Sequence, residues 1–81
     1  MKQALLNRIE INPKVMIGKP VIKGTRIPVD LILKMLSQRI STEEIFKEYP
    51  PLIREDIQAV LAYAAESLEM EEVLPLGKTA K

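Results

Sequence analysis

The twelve residues Gly18-Lys19-Pro20-Val21-Ile22-Lys23-Gly24-Thr25-Arg26-Ile27-Pro28-Val29 constrain the fold of this chain more than any other stretch. They place two glycines, two prolines, three cations and four β-branched apolar residues directly ahead of a helical pattern. Glycine relaxes the backbone, proline stiffens it and removes a donor, and β-branched side chains favour extended chain. The segment therefore reads as a tight, basic β-turn-β element feeding a helix. Ile9-Glu10-Ile11 alternates and then meets Asn12-Pro13, a turn signal, so a short strand ends there. Val15-Met16-Ile17 and Val21-Ile22 flank Gly18-Lys19-Pro20 and suggest a hairpin or two short crossing strands.

Three helices follow. The first is expected from Pro28 or Val29 to Gln38, since proline suits an opening turn and Asp30 complements the positive helix end. Val29, Ile32, Leu33, Leu36 and Ile40 form one core stripe at helical spacing, and Leu31 and Met35 form an apolar pair on another face. A helix apolar on two sides must be covered on two sides. The second face, with Leu31 and Met35, is therefore expected to pack on the hairpin or on a partner subunit. Ser41 with Glu44 three residues on is a capping box opening a second helix, with Ile45, Phe46 and Tyr49 as its apolar edge. Pro50 stops it near Glu48. The third helix is expected from about Arg54, reaching as far as Glu72, with Ile57, Val60, Leu61, Ala64 and Leu68 facing the core.

The expected fold is thus mainly α, a short N-terminal β-hairpin followed by a three-helix helix-turn-helix-like bundle. It forms one domain over residues 1–81, with the hairpin region at 9–28, the bundle at 29–72 and a tail at 73–81. A chain of 81 residues buries only roughly 60–65% of its unfolded surface, yet 47% of its residues are hydrophobic. Sharing apolar surface with a second copy, as a homodimer, relieves that mismatch.

Charge and reactive groups narrow the function. Residues 1–40 carry a net +6 and residues 41–81 a net −5, so one half suits a polyanion and the other a basic partner or a second subunit. Cysteine and histidine are both absent, which removes disulfides, Cys/His zinc sites and histidine acid–base chemistry. Gly18-Lys19 lacks the earlier glycine and the following Ser or Thr of a phosphate loop. The acidic pairs Glu43-Glu44, Glu55-Asp56 and Glu71-Glu72 hold neighbours that diverge around a helix; the first two suit helix N-termini. No catalytic constellation emerges, and neither enzyme activity nor a cofactor or metal site is expected. Ala4-Leu5-Leu6 is too short for a signal peptide and no stretch approaches membrane-spanning length, so a cytoplasmic protein without membrane contact is expected.

A short helix, a four-residue turn and a second helix is helix-turn-helix spacing, in which the second helix enters the major groove by its N-terminal end. Arg54 and Gln58 are then placed to reach base edges, Arg preferring guanine and Gln adenine. Lys19, Lys23 and Arg26 would hold phosphates, with Ser41 or Thr42 on the backbone; for Arg26 a structural anchoring role weighs equally. Glu55, Asp56, Glu66 and Glu69 make the same helix acidic, so these cations must offset phosphate repulsion.

Gly18-Lys19-Pro20, Gly24-Thr25-Arg26-Ile27-Pro28-Val29, Ser41-Thr42-Glu43-Glu44-Ile45, Tyr49-Pro50 and Glu55-Asp56-Ile57 through Tyr63-Ala64 occur in the order of one known pattern. From about Ile9 to Glu66 the chain resembles the small prokaryotic family called domain of unknown function 433. The resemblance implies a hairpin ahead of a helix-turn-helix-like bundle, and an antitoxin paired with a PIN-like ribonuclease toxin. Val73, Leu74 and Leu76 would then form the segment docking on the toxin, and double-stranded operator DNA would be the second partner. Two departures stand out: Arg39 occupies a usual glycine position, and Ile53 replaces a usual threonine cap.

Overall fold

The computed structural model describes residues 2–71. They form α1 (Lys2–Leu6), β1 (Ile9–Ile11), a 3-10 turn (Met16–Gly18), β2 (Pro20–Ile22), α2 (Val29–Ser37), α3 (Thr42–Glu48) and α4 (Arg54–Glu71). The strands pair antiparallel, with Ile9 opposite Ile22, Glu10 opposite Val21 and Ile11 opposite Pro20. The hairpin followed by helices is the architecture expected, with α1 added ahead of it. α4 is the spine: α1, β1 and α2 all pack on it, while α2 also touches β2 and α3.

Val15-Met16-Ile17 is not a strand. Asn12 turns the chain by accepting from Lys14 N–H at its Oδ1 (2.9 Å) and from Val15 N–H at its carbonyl (2.8 Å). Met16 and Ile17 then take left-handed backbone angles, φ 51° and 55°, so the segment loops out and β1 pairs with residues 20–22 instead. After β2, Thr25 N–H bonds Ile22 O (3.0 Å) in a four-residue turn whose third residue, Gly24, has φ 80°. A positive φ at that position favours glycine. Thr25 Oγ1 locks the turn, donating to Ile22 O (2.6 Å) and accepting from Ile27 N–H (3.0 Å).

The helices begin and end where local chemistry places them. Asp30 lies in the first turn of α2. At its end, Arg39 N–H bonds Leu36 O (3.0 Å) and Ile40 N–H bonds Met35 O (3.1 Å), with Arg39 at φ 66°. These paired bonds define a Schellman cap, with arginine in the seat that glycine usually takes. The capping box of α3 is present, Ser41 Oγ accepting from Glu44 N–H (3.2 Å) and Glu44 Oε1 from Ser41 N–H (3.4 Å).

Ile22, Val29, Ile32, Ile45, Leu52, Ile57 and Val60 form the core, with Leu33, Leu36 and Ile40 half-buried against it. The expected core face of α4 needs correction. Ile57 and Val60 are buried, but Leu61 and Leu68 are 50% and 71% exposed, while Asp56 and Ala59 face inward. The cause is α1, which with β1 covers the Asp56–Ala59–Tyr63 side and turns the helix away from the side its leucines alone suggest.

Candidate nucleic-acid interface

The connection from α3 to α4 is fixed at three points. Tyr49 N–H closes α3 on Ile45 O (2.8 Å), Leu52 N–H bonds Tyr49 O (3.0 Å), and the Leu52 side chain is buried in the core. Ile53 cannot cap α4 with its own side chain. Asp56 does so from the third helical position, its Oδ2 accepting from Ile53 N–H at 3.0 Å. This is the half of a capping box that serves the N-cap N–H; the Asp56 N–H, which a threonine hydroxyl would otherwise take, bonds Ile53 O instead (2.9 Å).

Asp56 is 4% exposed, and its second oxygen has a partner as well. Arg8 Nε, 48 positions earlier, donates to Asp56 Oδ1 at 2.8 Å. One carboxylate thus ties the turn between α1 and β1 to the start of α4. It also cancels one acidic charge on the helix end that would approach phosphate, since opposite charges this close largely neutralise each other at longer range. Arg8 has no local sequence signal; only the long-range pairing reveals it. Lys23 lines the same shallow polar depression as Ala4, Asn7, Arg8 and Asp56.

The first turns of α4 present Arg54 and Gln58 to solvent, on the helix face turned away from Asp56, whereas Arg8 and Lys23 lie on the Asp56 side. Arg26 is exposed in the neighbouring loop and makes no ion pair among the described residues. Lys19 stands apart: its Nζ lies 2.9 Å from Asp30 Oδ2 on α2. That hydrogen bond from Lys19 holds the Asp30 carboxyl below the usual carboxylate range. Ser41 is exposed but engaged in its cap, and Thr42 is half-buried beside it. Met35 packs on the core and, with Ile40, Glu44 and Lys47, lines a shallow groove on a different face; Leu31 is half-buried. Val73, Leu74 and Leu76 lie outside the described residues. Among the described residues no three carboxylates cluster as metal ligands would, and no helix is long and apolar enough to cross a membrane.

A β-hairpin packed on a helix, followed by a short capped helix, a pinned turn and a long helix with Arg54 and Gln58 exposed at its start, defines a small helix-turn-helix-like domain. The chain belongs to the family described as protein of unknown function DUF433, which matches residues 9–64. A crystal structure of a DUF433 member from Anabaena variabilis superposes with a TM-score of 0.73 at 35% identity, covering 84% of this chain and 67% of that one. An uncharacterized protein of Archaeoglobus fulgidus is 68% identical over 25 residues, 31% of this chain and 69% of its own length.

Proposed function

We propose that this protein is an antitoxin-like regulator that works by binding and not by catalysis. As a homodimer it holds double-stranded operator DNA with α3 and α4 and represses its own synthesis. Through its C-terminal half, with Val73, Leu74 and Leu76 as anchors, it binds and blocks a PIN-like ribonuclease toxin in the cytoplasm. The observation that carries the DNA part is the start of α4, where Arg54 and Gln58 are exposed in the first turns and the Asp56 charge is paired. Arg54 and Gln58 would read bases, Lys23 and Arg26 would hold phosphates, and a two-fold dimer would double these contacts over a palindromic site. The toxin part draws on the family resemblance and on the apolar Val73, Leu74 and Leu76 that follow an acidic stretch.

The test pairs the chain with the product of the adjacent gene in an RNA-cleavage assay. The full chain is expected to suppress cleavage at equimolar ratio, and a Leu74→Asp, Leu76→Asp variant to lose suppression while still binding upstream DNA. Suppression unaffected by those changes would overturn the C-terminal assignment. Failure to suppress at any ratio, with DNA binding intact, would leave a stand-alone DNA-binding regulator; suppression without DNA binding would leave a protein-interaction module.

A further inference from the structure

The loop between β1 and β2 holds an exposed apolar tip that nothing inside the domain uses. Ile17 is 93% exposed and Met16 projects beside it. Both are in the left-handed backbone region, which a β-branched residue rarely enters. The turn is held by Gly18 N–H on Val15 O (3.1 Å) and Lys19 N–H on Met16 O (3.0 Å). A hydrogen-bonded turn that keeps two large apolar side chains in water calls for a receiving surface.

Such a surface lies just beyond Lys19. Pro20, Val29, Leu33, Tyr63, Ala64 and Leu68 line an open, mainly apolar groove of about 380 Å³ between α2 and α4. Asp30 stands at its rim and holds Lys19, so tip and groove share one continuous face. A face carrying both a projection and its receptor is self-complementary, the condition for a closed two-fold contact. The charges match as well. Lys14 lies three residues before Ile17, whereas residues 63–71 of α4 carry Glu66, Glu69 and Glu71 and no cation. The tip of one copy, with Lys14 beside it, would meet the acidic C-terminal half of the other's α4 and the negative end of its dipole.

We infer that this face is the homodimer contact, with Ile17 of each copy seated in the α2–α4 groove of the other. The inference rests on the homodimer reading above and names its surface, which is not the Leu31/Met35 face.

Sedimentation equilibrium on the full chain tests it, with circular dichroism as a check of folding. Ile17→Asp and Leu68→Glu alter exposed side chains, so both variants are expected to fold and each to raise the dimer dissociation constant roughly 30-fold or more. Because the chain has no cysteine, an Ile17→Cys, Leu68→Cys double variant can be oxidised cleanly and is expected to give a covalent dimer and nothing larger. A monomer at every concentration would overturn the homodimer reading itself. A dimer untouched by both substitutions, without cross-linking, would refute this face alone. Loss of DNA affinity in Ile17→Asp with the dimer intact would assign the tip to nucleic acid. A ladder of larger cross-linked species would replace the two-fold contact with an open-ended one.

Discussion

At the scale of single residues, Arg39 is the clearest case of a side chain set against its backbone. The Schellman bonds from Arg39 and Ile40 require a left-handed residue at position 39, and φ is 66°. That conformation costs a residue with a Cβ roughly 1–2 kcal/mol, whereas glycine adopts it freely but loses roughly 0.5–1 kcal/mol more backbone entropy on folding. Arg39→Gly is therefore expected to stabilise the protein by about 0.5–1 kcal/mol, a rise in melting temperature of roughly 4 °C for a domain this size. An unchanged or lower melting temperature would contradict the strain. The Met16–Ile17 tip differs, because there two successive left-handed residues hold apolar side chains out in water and glycine would remove the projection itself.

Among the elements, the start of α4 depends on one carboxylate. Asp56 caps Ile53 and anchors Arg8, so Asp56→Ala removes both, leaving an uncapped helix end and a half-exposed guanidinium without its partner. We expect a loss of about 2 kcal/mol for alanine. Asp56→Asn keeps an oxygen for Ile53 and should lose roughly half as much. Urea unfolding checks this order; an alanine variant as stable as the parent would contradict the anchor. Elements whose boundaries rest on neighbouring residues were legible in the sequence: Pro28 with Asp30 opens α2, Ser41 with Glu44 opens α3, and Pro50 closes it. Others were not. α1 has five residues and is held by docking on α4, and the β1–β2 register depends on left-handed turns at Met16 and Ile17 that their side chains do not announce. The buried face of α4 was misread for the same reason, since Leu61 and Leu68 look like core until α1 covers the other side. Within the candidate interface, helix spacing was enough to place Arg54 and Gln58 in the exposed first turns of α4, whereas Arg8 emerges only through a partner 48 positions away.

Taken as a whole molecule, the chain separates its charges along a fold too small to hide its apolar surface. The basic loops around Lys23 and Arg26 lie toward the start of α4, the apolar tip and groove meet across Lys19 and Asp30, and the acidic residues Glu66 and Glu69 lie toward the far end of α4. Such a division suits the three proposed contacts: DNA at the Lys23–Arg26 loop, a second copy across the tip-and-groove face, and a protein partner beyond α4. The central claim is the proposal that Lys23 and Arg26 hold DNA phosphates while the start of α4 meets the bases, and the salt dependence of binding tests this most directly. Two phosphate-reaching cations per copy, Lys23 and Arg26, give four in a dimer and a slope of log affinity against log salt of about −4. Measured on the DNA upstream of its own gene, the slope is expected near that value, to fall by about 2 in Lys23→Met, and to hold in Lys19→Met. Affinity indifferent to salt, or no binding even at low salt, would contradict the account.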